Sequence, residues 1–110
     1  MKNKRIIKGN FDFQNIISKQ RTLKNVSFVV YFEKTENNFL EYGISVGKKI
    51  GNAVIRNKIK RQIRMMINDI IQTNNGDKNF RIVIIARKAM LEKDFEFNKK
   101  ALTKLIEQLK

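Results

Sequence analysis

The chain has 110 residues, 42% of them hydrophobic and 31% charged, which suits one domain with one modest core. Its 24 Lys and Arg outnumber 10 Asp and Glu, for a formal net charge of +14, and so steep an excess points to a polyanionic partner, nucleic acid ahead of an anionic membrane surface. Cysteine and histidine are both absent, which excludes disulfides, zinc sites of the usual Cys/His type and Ser-His or Cys-His nucleophilic chemistry.

No composition break or internal repeat divides the chain, so residues 1–110 read as a single domain that opens on a basic arm over residues 1–9. The arm lacks the long apolar segment of a secretory signal, and no apolar run approaches the ~20 residues of a membrane span, so the expected location is cytoplasmic. Phe11 to Lys19 is a helix candidate, with Phe13, Ile16 and Ile17 on one side and Asn10 as its candidate cap. Val26 to Glu33 alternates as a strand whose Val26, Phe28, Val30 and Phe32 face the core. After a polar turn, Phe39 to Val46 returns as a second strand, and the two read as an antiparallel hairpin. Leu40, Tyr42, Ile44 and Val46 make the apolar side of this second strand, and Glu41, Gly43, Ser45 and Gly47 the other. Tyr31 then faces outward beside small residues, a shallow groove with an aromatic floor.

Lys48 to Asn52 is a glycine-containing loop, and a helix follows from about Ala53 to about Gln72. Asn74 to Asp77 is a turn, and Phe80 to Arg87 a third strand whose centre, Ile82 to Ala86, is apolar on both faces and therefore interior. The last helix begins near Phe95 or Phe97, with Leu102, Leu105, Ile106 and Leu109 on one face.

Charge is concentrated in the long helix and the loop before it. From Gly43 to Asn68 there are seven basic residues and no acidic one. At about 100° per residue, Ile55, Ile59, Ile63, Met66, Ile67 and Ile70 share one side, and Asn57, Lys60, Arg61 and Arg64 lie nearly opposite, with Arg56 and Lys58 flanking them. Like charges at Lys60 and Arg64 cost a few tenths of a kcal/mol in the free helix, and cations near its N-terminus oppose the macrodipole. A phosphate-binding face relieves both penalties. Gly47 and Gly51 permit unusual backbone angles and close approach of a ligand, and the free N–H groups near Ala53 to Arg56 can point at an anion. No Gly-Lys-Ser/Thr follows, so this is not a Walker A loop, and nucleotide triphosphate hydrolysis is excluded on that ground.

The run from Ile44 to Arg64, Ile44-Ser45-Val46-Gly47-Lys48-Lys49-Ile50-Gly51-Asn52-Ala53-Val54-Ile55-Arg56-Asn57-Lys58-Ile59-Lys60-Arg61-Gln62-Ile63-Arg64, closely resembles the signature of the bacterial ribonuclease P protein component. The family's Arg-Asn-Arg, Lys-Arg and further Arg fall on Arg56-Asn57-Lys58, Lys60-Arg61 and Arg64. The basic arm, Phe13 in a short first helix, Phe28-Val29-Val30-Tyr31, Ile84-Ile85-Ala86-Arg87 and the chain length extend the resemblance over the whole chain.

The resemblance implies an α+β or α/β sandwich similar to the second domain of ribosomal protein S5. Its mixed sheet packs with three helices, and a left-handed βαβ crossover runs through the long basic helix. It also implies a subunit that binds the ribonuclease P catalytic RNA and the 5′ leader of precursor tRNA, with hydrolysis carried by the RNA and Mg²⁺. No obligatory protein partner and no membrane are implied. Carried over by position, Arg56, Asn57, Lys58, Lys60, Arg61 and Arg64 contact the catalytic RNA with Lys48, Lys49 and Asn52 close by, while Phe13 and Tyr31 line the leader cleft, where aromatic stacking serves any base. Three positions depart from the pattern: Lys58 replaces an arginine's planar fork, Glu41 stands where a base is common, and Gln20 replaces a frequent glycine.

Composition alone leaves open a ribosomal or other structural RNA-binding protein and a nucleoid-type DNA binder, which the motif separates from the first reading. An independent carboxylate–metal nuclease site has little support, because the ten acids are scattered and Asp94 with Glu92 and Glu96 reads as a solvated helix start.

Overall fold

A computed structural model describes residues 5–7 and 9–109. Four strands form one mixed sheet: β1 (Thr22–Lys24), β2 (Phe28–Lys34), β3 (Glu41–Ser45) and β4 (Phe80–Ala86), in the order β1-β2-β4-β3. Three helices cover it: α1 (Asn10–Ser18), α2 (Ala53–Ile71) and α3 (Phe95–Glu107). β4 pairs antiparallel with β2 and parallel with β3, so β3–α2–β4 is a crossover connection.

The expected hairpin between β2 and β3 does not form, because β4 lies between them. The reason is visible in β4 itself. Phe80, Ile82, Ile84 and Ala86 are buried in the main core, while Val83 is buried on the opposite face with α1. A strand apolar on both faces is stable only at the centre of a sheet covered on both sides. Placing β2 and β3 together would push it to an edge.

Two cores follow from the alternation. The larger joins the sheet to α2, through Ile59, Ile63, Met66, Ile67 and Ile70, and to α3, through Leu102, Leu105 and Ile106. The smaller joins Ile16 of α1 to Val83 and Ile7, with Phe13, Ile17, Tyr31 and Ile85 partly buried around it. Among the described residues, α1 buries Ile16 alone in this smaller core, against Val83 and Ile7, a much lighter apolar anchor than that of α2, so its position also depends on what else holds it.

Several boundaries differ from those expected. Gly9, not Asn10, occupies the N-cap of α1 and supplies no side-chain cap. Val26 is 45% exposed and lies before the strand. The Asn25 side chain accepts from the amides of Ser27 and Phe28, a local turn that competes with the ladder and delays β2. β1 has no apolar alternation to announce it.

Of the basic arm, residues 1–4 and 8 lie outside the described residues. Arg5 to Ile7 run along the edge of β3: Tyr42 N–H donates to the Arg5 carbonyl at 2.7 Å and Ile7 N–H to the Tyr42 carbonyl at 2.9 Å. Arg5 Nη1 also donates to the Gly76 carbonyl at 2.7 Å. That segment therefore covers an otherwise open sheet edge. Among the described residues, no helix is long and apolar enough to cross a membrane.

Candidate nucleic-acid interface

α2 starts where Asn52 caps it. The Asn52 side-chain oxygen accepts from Ile55 N–H at 3.0 Å, and its carbonyl accepts from Arg56 N–H at 2.9 Å. Asn52, expected beside the RNA-binding residues, thus has a local structural duty at the helix start. The preceding turn, Lys48–Ile50, anchors through buried Ile50 and leaves Lys48 and Lys49 exposed. The two glycines differ from their expected use. Gly47 has ordinary extended angles and open space around it, with no need of glycine. At Gly51 a Cβ would come within 3.0–3.1 Å of Ile55, so the close approach there is made by the chain's own side chain.

The basic residues of α2 form a wider arc than a single stripe. Asn57, Lys58, Arg61 and Arg64 are exposed, on the side away from the core. Arg56 and Lys60 are half-buried. Arg56 Nε is buried with no hydrogen-bond partner among the described residues. Ile55, assigned to the apolar side, is 38% exposed because the core begins one turn later, at Ile59.

Ion pairs are distributed unevenly. Among the described residues they join Lys19 to Glu33, Arg81 to Asp12, Glu33 and Glu41, and Lys99 to Asp69. Asp69 beside the Lys99 ammonium raises the lysine pKa, through a hydrogen bond first. None of Lys48, Lys49, Arg56, Lys58, Lys60, Arg61 and Arg64 is paired with a carboxylate of the described chain. Among the described residues nothing neutralises this cationic surface, which is the electrostatic condition for gaining free energy by contacting phosphates.

A groove of about 390 Å³ lies beside this face. Asn10, Phe13, Gln14 and Ile17 of α1 form one wall, Ile44 to Val46 at the end of β3 the floor, and Lys60 of α2 closes the other side. Phe13 is thus in the groove, and Lys60 belongs to it as well as to the basic motif, which spacing alone did not indicate. Tyr31 is not among the groove's lining residues. It stands on the same sheet face, across from Val83, which in turn faces Gly43 on β3. The Phe13 ring lies directly on Gly43: a Cβ there would be 2.4 Å from Phe13 Cζ. The small residues read as open floor are therefore occupied, at Gly43, by the ring itself.

Glu41, the acidic departure, is committed within the chain. It lies 3.7 Å from Arg81 Nε and accepts from Asn37 Nδ2 at 3.0 Å. Gln20, the other departure, sits at φ 57°, the left-handed conformation that favours glycine. Among the described residues, no group of three or more Asp and Glu side chains could hold a metal ion.

The family model described as Ribonuclease P matches residues 1–110. A ribonuclease P protein component from Mesoplasma florum is 57% identical over 106 residues, covering 96% of each chain. That of Mycoplasma capricolum is 53% identical over 110 residues, covering 100% of each. The solved Staphylococcus aureus RNase P protein is 34% identical, with a TM-score of 0.82 over 97% of this chain and 98% of that one.

Proposed function

Because the chain belongs to the ribonuclease P family, as the protein subunit of that endoribonuclease, we propose a division of labour between its two surfaces. The exposed arc of α2, with Lys48 and Lys49, binds the ribonuclease P RNA. The groove between α1, β3 and α2 takes the single-stranded 5′ leader of precursor tRNA, in the cytoplasm. Hydrolysis belongs to the RNA and to Mg²⁺ held by RNA and substrate phosphates. Mg²⁺ keeps several waters and binds through few ligands, which suits an ion shared between RNA and substrate phosphates.

The carrying observation is the run of seven cations without a carboxylate partner among the described residues, joined to the groove at Lys60. Exposed Arg61 and Arg64 supply planar forks for phosphate oxygens. Lys58 offers a point charge where the motif has a fork, so it makes the weaker contact of the arc. Asn52 acts indirectly, by holding the first turn that carries Arg56. In the groove Phe13 offers a ring face to an unpaired base, and Lys60 a charge to the adjoining phosphate, a pairing suited to strands of any sequence. Tyr31, half-buried on β2 with β4 between it and Gly43, packs in the same small core as Phe13 and supports that sheet face.

Reconstitution tests this. The chain is mixed with a bacterial ribonuclease P RNA at low Mg²⁺ and precursor cleavage is measured. Stimulation is expected. Binding without stimulation would favour a structural RNA-binding role, and preference for duplex DNA would favour a nucleoid role.

A further inference from the structure

α1 carries Phe13 into the groove, yet little apolar surface anchors it. What supplements that anchor is an ion-pair cluster on the α1 side of the sheet. Residues Glu33, Arg81 and Glu41 lie side by side on β2, β4 and β3. Arg81 Nη1 is 3.8 Å from Glu33, Nε 3.7 Å from Glu41, and Nη2 3.5 Å from Asp12 of α1. Lys19, just past the other end of α1, lies 3.3 Å from the second oxygen of Glu33. Helix α1 is thus held by charge at both ends.

Arg81 is at the centre of this arrangement. Its side chain is 23% exposed, and those of Glu33 and Glu41 15% and 13%. Water screens these groups incompletely, so their mutual repulsion without Arg81 is substantial. None of the three contacts is a short hydrogen bond. The guanidinium is shared among three carboxylates rather than committed to one, which a planar cation with five donors can do. Asp12 is the only member of the trio on α1, and it immediately precedes Phe13.

We infer that Arg81 is a positioning residue for leader binding: through Asp12 it clamps α1 to the sheet and seats the Phe13 ring on Gly43, facing the groove. This rests on the leader reading of the groove. The consequence is a division within the chain's cations. The α2 cations meet RNA, whereas Arg81 is neutralised internally and shapes the surface that meets RNA.

The test uses Arg81→Gln and the milder Asp12→Asn in the full chain, each assembled with ribonuclease P RNA. The first readout is the Gly43 α-proton resonance, which a ring stacked on that glycine shifts strongly. The second is the affinity ratio between precursor with leader and mature tRNA. Arg81→Gln is expected to remove the Gly43 shift while resonances of Ile63 and Leu102 in the main core stay in place. The leader-dependent ratio falls about tenfold. Asp12→Asn, which leaves Arg81 paired with Glu33 and Glu41, weakens both readouts in the same direction, by about two- to threefold in the ratio. Affinity for the RNA alone is unchanged in both. A retained Gly43 shift in Arg81→Gln overturns the clamp. A lost shift with an unchanged ratio overturns the role in leader binding, and Phe13→Ala then locates the fault. If Phe13→Ala is silent too, the leader reading of the groove has failed. If Phe13→Ala lowers the ratio, seating on Gly43 is not what matters. Should Arg81→Gln fail to fold, Asp12→Asn decides by the same two readouts.

Discussion

Gly43→Ala isolates the contact on which the groove depends. The added methyl would sit 2.4, 2.8 and 3.0 Å from three carbons of the Phe13 ring. Carbon–carbon contact needs about 3.5 Å, so the ring must retreat by roughly 1 Å or swing away. Overpacking of this kind costs about 1–3 kcal/mol where neighbours cannot move. Phe13 borders a groove and can move, which places the effect near the lower end. Alanine in a strand regains about 0.5–1 kcal/mol relative to glycine through the unfolded chain. Net stability by urea denaturation should therefore fall by less than about 1 kcal/mol. Leader binding, which needs the ring where it is, should lose about 1 kcal/mol, close to a fivefold drop in the leader-dependent affinity ratio. The assay is equilibrium binding of reconstituted enzyme to precursor and to mature tRNA. If Gly43→Ala keeps the full ratio while Phe13→Ala loses it, the ring's seat on Gly43 does not matter and the reasoning is wrong.

Asn52 offers a separation of capping from RNA contact. Asn52→Ala should lower stability by about 1 kcal/mol in thermal or urea unfolding, through the lost cap on Ile55 N–H. Asn52→Asp should hold or raise stability, because a carboxylate suits a helix N-terminus, yet weaken RNA binding by placing an anion beside Lys48, Lys49 and Arg56; equal RNA affinity for Asp and Asn would place position 52 away from phosphates. Gln20→Gly should stabilise the chain by about 0.5–1 kcal/mol in urea unfolding, by relieving the left-handed backbone at φ 57° after α1.

Much of this was legible in the residues. α2 was readable to within a residue at each end, because isoleucines at helical spacing after a glycine-containing loop leave little freedom. β4 was recognisable as interior from Ile82 to Ala86. Its neighbours were not: alternation in β2 and β3 fixes which side chains face the core, not which strand lies alongside. The hairpin reading failed there, where a strand distant in sequence entered between them. In the site, Lys60 and Arg64 looked alike on a helical projection, but Lys60 is half-buried and lines the groove beside α1 residues, whereas Arg64 is exposed. Gly43 and Ser45 read as empty floor because nothing in a sequence shows that Phe13, thirty residues earlier, descends onto one of them. The Arg81 cluster was equally hidden, since Asp12, Glu33, Glu41 and Arg81 come from four different elements. At Gln20 the hint lay in the family resemblance, since a position where glycine is frequent is one where the backbone turns left-handed.

The most direct test of the central claim is a salt series for binding to ribonuclease P RNA, comparing the chain with Arg61→Ala/Arg64→Ala. Both side chains are exposed and have no carboxylate partner among the described residues, so the double variant should fold with unchanged stability. Its slope of log affinity against log salt should be shallower by about 1.4–1.8, the release of counterions from two phosphates. An unchanged slope in the folded double variant would contradict an RNA-binding face on α2.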